Sequence, residues 1–223
     1  MNGNKKIILS PSALEALSRC PRCFWLKYNK KIYQPEGIVS RLASRFDIIL
    51  KKYDDIYRKI GEMPPILKDK IRGRLENPLQ SRYVFSHNEK YSFEGRLDDC
   101  LIMEDGEYAP IDFKTSSSDP REKTEILPAY QTQMDSYAFL LDESGKKTSG
   151  LSYLIFIYPE ESFELHNGFP MAVHIITLKT NPGAAKEKFL KAIEVLEGEM
   201  PESSADCSFC QWYRKVGEEL NRI

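Results

Sequence analysis

An α/β domain with a mixed central β-sheet flanked by helices is the architecture this sequence predicts, on three observations. Strand-like apolar runs occur near Arg82–Ser86, Tyr91–Met103 and Glu107–Thr115, and again at Leu151–Tyr158 and Met171–Leu178. Helical spacing governs Pro11–Tyr28, a long stretch reaching Ile60, Ile126–Asp142 and Pro182–Glu197. Between the second and third strand runs sits Glu104-Asp105-Gly106-Glu107, a strong tight-turn signal. With 223 residues and ordinary hydrophobic content, the chain predicts one domain, 1–223, with a sizeable core.

Taken in order, Ser10-Pro11-Ser12 supplies an N-cap and a first-turn proline, and Ser12-x-x-Glu15 a capping box. Pro35 and Gly37 then break the chain. Ile38, Leu42, Phe46, Ile49, Leu50, Tyr53, Tyr57 and Ile60 recur at helical spacing and predict a long amphipathic helix. Gly61, Pro64 and Pro65 end it, and a charged linker with Gly73 and Pro78 follows, so 36–80 reads as a helical insertion. There are no repeats and no low-complexity tracts.

Chemistry concentrates in GRLDD at Gly95–Asp99 and IDFKT at Ile111–Thr115. Asp112 and Lys114 are two apart and share one face of a strand, while Ile111, Phe113 and Thr115 turn towards a core. Two carboxylates and a lysine around a hairpin are the minimum kit for holding a divalent metal against a phosphodiester. A two-residue turn at Asp105-Gly106 would pair Asp99 with Asp112; a three-residue loop with Gly106 left-handed would pair Asp98 with Asp112. On the next helix, Gln133 and Tyr137 sit four apart on one face, beside an apolar stripe of Tyr130, Met134, Ala138 and Leu141.

The ordered set G-x-x-D, D-x-K on the next strand and Q-x-x-x-Y on the following helix resembles the RecB-type branch of the PD-(D/E)XK nucleases. The resemblance covers most of the chain and is sharp only at these motifs. It implies a restriction-endonuclease-like core with N-terminal helical additions, and it selects the three-residue loop. Asp98 and Asp112, with the carbonyl of Phe113, would then hold Mg²⁺ or Mn²⁺, and Lys114 would be the catalytic lysine. Gln133 and Tyr137 would orient Lys114 or contact substrate. Glu94, in phase with Asp98, is a supplementary candidate. The branch usually carries a histidine ligand in its early helical region. Here His87, His166 and His174 all come too late, and Asp47 on the long helix is the expected replacement, a hard oxygen donor suited to Mg²⁺ or Mn²⁺. The implied activity is a DNA exonuclease on single-stranded or duplex ends, serving DNA repair, recombination or CRISPR-type processing, with a repair or CRISPR protein as a further partner. The alternative is a non-catalytic relative that binds DNA or such a partner. The kit itself does not read the sugar, so RNA is a third substrate class.

Cys20-Pro-Arg-Cys23 and Cys207-Ser-Phe-Cys210 together are a strong signal for a four-thiolate metal site. Joining segments so distant in sequence would act as a clip, removing loop-closure entropy from the unfolded chain. The nuclease resemblance implies an iron–sulfur cluster there. Its usual pattern is one N-terminal and three C-terminal cysteines, and the two-and-two arrangement here keeps zinc as the alternative. Cys100 reads as a small core residue. No secretory signal and no apolar run long enough to cross a bilayer are present, which predicts a cytoplasmic protein with no membrane partner. A net charge of −1 excludes blanket affinity for nucleic acid. Contacts with phosphates are left to local clusters at Lys27, Lys30 and Lys31, at Lys51 and Lys52, and at Lys68, Lys70, Arg72 and Arg74.

Overall fold

Prolines divide the helices of this chain and a left-handed glycine sets the register of its larger sheet. A computed structural model describes residues 6–35, 41–122, 127–162 and 168–220; Gly37, Ile38, Ile126 and His166 lie outside the described residues. Strand β1 (Ile7–Leu9) leads into helix α1 (Pro11–Arg19), where Ser10 caps the Ala13 N–H at 3.3 Å. The single helix expected to Tyr28 is instead broken at Cys20, whose backbone is extended. Pro21 explains the break, since it lacks an N–H and disfavours helical geometry at the residue before it. Helix α2 (Pro21–Trp25) then runs into a π-helical turn at Leu26–Lys30. The long helix α3 spans Arg41–Ile60, as its spacing predicts.

The expected strand Tyr91–Met103 is likewise two: β4 (Tyr91–Arg96) and β5 (Asp99–Ile102), in different sheets, with Leu97 and Asp98 at the corner between them. Three strands form the first sheet, in the order β1, β4, β3 (Arg82–Ser86). Five form the second: β2 (Arg74–Leu75), β5, β6 (Tyr108–Thr115), β7 (Leu151–Pro159) and β8 (Met171–Lys179), in that order. The β6–β7 pair is parallel and the other pairs of this sheet are antiparallel, so the sheet is mixed. The β5–β6 loop is the three-residue form. Gly106 is left-handed at φ +85°, Met103 N–H donates to Glu107 O, and Asp99 stands opposite Ile111. That register points Ala109 and Ile111 to one face and Asp112 and Lys114 to the other.

Helix α4 (Pro128–Glu143) occupies the centre of the main core, and nine of its sixteen residues are buried, the polar Thr132, Asp135 and Ser136 among them. Its Met134, Phe139 and Leu140 pack with Tyr83 and Phe93 of the smaller sheet, Leu154 and Phe156 of β7, and Phe189 of α5 (Pro182–Glu197). On the opposite face of the larger sheet, Leu101, Ala109, Ile111 and Ile155 form a second cluster with Leu67 and Ile71. A last helix, α6 (Ser208–Leu220), was not expected from the sequence.

The α3 residues buried against the body are Asp54 and Arg58, both polar. Arg58 Nη2 lies 2.5 Å from Asp99 Oδ2, and its other terminal nitrogen donates to the Glu76 carbonyl. Neither Asp54 oxygen accepts a hydrogen bond; the carboxyl faces Asp99 and donates to it when protonated. Burial, reinforced by the Asp99 charge, pushes Asp54 up to about 8. A carboxyl raised in the folded state stabilises below the ordinary carboxylate range, and that stability is lost as pH climbs towards 8. Replacing Asp54→Asn keeps a donor towards Asp99 without the titration. We expect wild-type stability to fall between about pH 4 and pH 8, the variant to be flatter, and the variant to gain roughly 1–3 kcal/mol at pH 8. Urea unfolding midpoints across this range check it.

Candidate functional site

Strand β6 delivers Asp112 and Lys114 to the face of the sheet that α4 covers. Gln133 on α4 joins them: its Nε2 donates to Asp112 Oδ1 at 2.9 Å, and its Oε1 accepts from Lys114 Nζ at 2.8 Å. The same Nε2 donates to the Tyr137 hydroxyl at 2.7 Å, one helical turn on. Lys114 is also ion-paired with Asp112, and its ammonium stands over the Tyr130 ring at 4.9 Å. Asp112 is 2 % exposed. Its Oδ2 meets the Lys114 ammonium but accepts no aligned hydrogen bond. Burial pushes the Asp112 carboxyl up to about 6 against the pull of Lys114, and the nearby Asp98 charge adds to the rise. Burial also raises the Tyr137 hydroxyl, with the Asp112 charge adding to it.

Asp98 sits at the corner between β4 and β5. Its Oδ2 accepts from the Phe113 N–H at 3.0 Å, which ties it across the hairpin to the residue between Asp112 and Lys114. The Phe113 side chain packs into the second cluster on the other face. Asp47 approaches from α3 but reaches Asp98 through a lysine. Lys51 Nζ lies 2.8 Å from Asp47 Oδ1 and 2.9 Å from Asp98 Oδ1. The structure thus gathers Asp47, Asp98, Phe113, Asp112, Lys114, Gln133 and Tyr137 into one neighbourhood. Lys51, expected only as part of a basic cluster for phosphates, is also a member; the signal for that was the i, i+4 spacing from Asp47. His87 is exposed against Phe85 and Phe189, away from this group. Glu94 is held by a two-pronged bond from Arg82, at 2.8 Å on each oxygen, and so is not free to ligate.

A cleft of about 430 Å³ opens beside Gln133 and Tyr137, lined also by Ser10, Ser12, Glu94, Gly95 and Arg96. Gly95 makes this approach of sheet and helix possible. A Cβ there would stand 2.5 Å from Leu140 Cδ1 and 3.3 Å from the Tyr137 ring, and both side chains are buried.

Apart from these residues, the Sγ atoms of Cys20, Cys23, Cys207 and Cys210 all lie within 4.8 Å of one another. Cys20 stands at the break between α1 and α2, Cys23 within α2, Cys207 just before α6 and Cys210 in its first turn. Four thiols so close could hold a metal ion. Burial works against ionising Cys20, but N–H groups of Cys23 and Ser204 outweigh it and bring this thiol down to about 7. Burial pushes Cys23 and Cys210 up, so these thiols gain most from a bound cation. Side chains of α2 and the following turn fasten the incoming C-terminal segment. Arg22 donates to the Pro201 carbonyl at 3.0 Å, Trp25 to Gly198 O at 3.0 Å and Asn29 to Leu196 O at 3.0 Å. No spacing rule marked these three. Cys100 is a buried core residue, apart from the four.

Of the basic clusters, Lys51 enters the candidate site, Lys27 and Lys30 lie over aromatic rings, and Lys68, Lys70 and Arg72 line an open cleft of about 650 Å³. Among the described residues no helix is long and apolar enough to cross a membrane.

No known protein family matches the sequence, and no curated protein matches it. Among solved structures, the crystal structure of SSO0001 is similar at 18 % identity, covering 89 % of this chain and 79 % of that one, with a TM-score of 0.43. The crystal structure of LHK-Exo in complex with dAMP is similar at 9 % identity, covering 95 % and 94 %, with a TM-score of 0.44. Likenesses this distant assign neither a family nor an activity.

The contact at Gly95 makes a prediction. Gly95→Ala forces Leu140 and Tyr137 apart in a filled core, at about 1–3 kcal/mol. The unfolding midpoint should fall while helix content holds, and near-ultraviolet tyrosine dichroism should change as Tyr137 shifts.

Proposed function

We propose that this chain is a single-domain, divalent-metal-dependent nuclease that hydrolyses phosphodiester bonds in DNA. Its substrate ends and its place in repair, recombination or CRISPR-type processing rest on the sequence resemblance. One observation carries the reading: Gln133 bonds both Asp112 and Lys114, and Asp98 is anchored on the N–H of Phe113 between them. A buried carboxylate oxygen without an aligned hydrogen bond, beside a second carboxylate, suits a hard cation. Asp98, Asp112 and the Phe113 carbonyl would hold it, and Asp47 stands near enough to join through the place Lys51 now fills. When bound, such an ion supplies a polarised phosphoryl oxygen and a water of lowered pKa. Lys114 stabilises charge developing on the phosphate. Gln133 fixes the direction of Lys114, and Tyr137 fixes Gln133. The cleft at Ser10, Arg96 and Tyr137 gives a strand room beside these groups.

The second reading, a module that binds DNA or a protein without cutting, is favoured by Lys51, which already neutralises Asp47 and Asp98. Digestion of end-labelled single- and double-stranded DNA with Mg²⁺ or Mn²⁺ separates the two. We expect cleavage by the wild type, a loss of about 10²-fold or more in Asp112→Ala and Lys114→Ala, and retained DNA binding in Lys114→Ala. No cleavage by a folded wild type with its cysteines metallated selects the second reading.

For the four cysteines we infer a single zinc ion in place of the iron–sulfur cluster. The Sγ separations of Cys20–Cys210, Cys23–Cys207 and Cys23–Cys210 are 3.9, 3.7 and 3.5 Å. Thiolates at about 2.3 Å around one tetrahedral ion stand about 3.8 Å apart. In a cluster they ligate different irons and are spread by its body. Anaerobically purified protein should be colourless with one zinc per chain. A brown protein with visible absorbance and no zinc would restore the cluster.

A further inference from the structure

Helix α3 is mounted inside out. Polar side chains tie it to the body: Lys51 to Asp98, Arg58 to Asp99, and Asp54 facing Asp99. On the opposite side run Leu42, Phe46, Ile49, Tyr53, Ile56 and Ile60, spaced alternately four and three residues apart. This is the seam of a coiled coil, about 27 Å long. Leu42, Ile49, Ile56 and Ile60 are 66 %, 47 %, 60 % and 62 % exposed. A stripe of large aliphatics this regular is not the scattered apolar exposure of an ordinary surface. Nothing among the described residues covers these four.

The charges beside the seam indicate what does. Arg45, Lys52 and Lys59 recur every seven residues along one flank and are exposed. The ion pairs of α3 use Lys51 and Arg58, and these three make none among the described residues. The other flank, Ala43, Leu50 and Tyr57, is uncharged. In an antiparallel pair with a second copy, the two cation columns would face each other. In a parallel pair, each would face the uncharged flank. Neither answers the charge, whereas an acidic helix does.

We propose that the outer face of α3 docks an amphipathic helix of another protein whose apolar seam is flanked by aspartate or glutamate. The proposal does not depend on nuclease activity, because none of the seam or flank residues belongs to the candidate site. The test titrates the full chain with two synthetic helical peptides, each with leucine at the seam positions. One carries glutamate at both flanks and the other lysine, and binding is read by fluorescence anisotropy at low salt. The glutamate peptide should bind at least about tenfold tighter. Lys52→Glu with Lys59→Glu should invert that preference, and Ile49→Glu with Ile56→Glu should abolish binding of both while circular dichroism stays unchanged. Equal binding of the two peptides, or none, overturns the proposal. So does a dimer in light scattering that Ile49→Glu dissolves, which would make a second copy the occupant. Binding to anionic lipid vesicles that is lost in the same variant, with no peptide discrimination, overturns it in favour of a membrane surface.

Discussion

With Gly106 left-handed, the loop after β5 fixes Asp99 opposite Ile111, and what meets at the candidate site depends on that register. A slip of one residue would turn Ala109 and Ile111 out of the second apolar cluster and drive Asp112 and Lys114 into it. Burial of the apolar set therefore enforces the placement of the polar set. The same pairing carries Asp98 to the edge of β5, where the Phe113 N–H holds its carboxylate. Strand β7 pairs with β6 through Thr115 and so backs Asp112 and Lys114 on one side, while on the other the ladder with β5 ends at Ile111 and the Asp98 carboxylate takes the next N–H. Side chains positioned in this way have little freedom to lose on binding a substrate.

Helix α4 converts the register into a site. Its buried residues lock it between the two sheets, so Gln133 and Tyr137 are aimed by the main core and not by their own hydrogen bonds. Gly95 sets how close the helix can come, since the missing Cβ is the space that Leu140 fills. Gln133 then satisfies a carboxylate, an ammonium and a hydroxyl at once, which keeps a charged pair tolerable at low exposure.

Much of this was legible from the residues. Period-two alternation and an Asp-Gly turn located the β5–β6 hairpin but left two registers open, and i, i+4 spacing placed Gln133 beside Tyr137. Paired Cys-x-x-Cys motifs foretold the clustering of the cysteines, because thiols three apart on a helical turn face one way. The break at Cys20 was written in Pro21, but the apolar spacing on both sides masked it. The switch of strand between Arg96 and Asp99 has no local signal, because it answers to two sheets that pack on α4. Helix α6 has no buried residue, so its position answers to the thiols rather than to core patterning. Period alone said that α3 is amphipathic but not which side faces inward. The default, apolar side in, fails because Asp98 and Asp99 on the corner offer its cations better partners.

The two anchoring systems have different consequences for the site. The bonds of Arg22, Trp25 and Asn29, beside the four gathered thiols, join α2 and the turn after it to the end of α5 and the segment that follows, remote in sequence from the hairpin. Helix α3 is held to the body largely by ion pairs and by the buried Asp54–Asp99 contact, with its apolar seam contributing little. An element attached this way opens at lower free-energy cost than one sealed by apolar burial. Asp112, Lys114, Gln133 and Tyr137 therefore form the rigid half of the site, and Asp47 and Lys51 the half that can rearrange. A partner that buries the seam would stabilise α3 against such opening. By the same linkage, any ligand that drew Asp98 away from Lys51 would loosen the contact through which α3 reaches the hairpin.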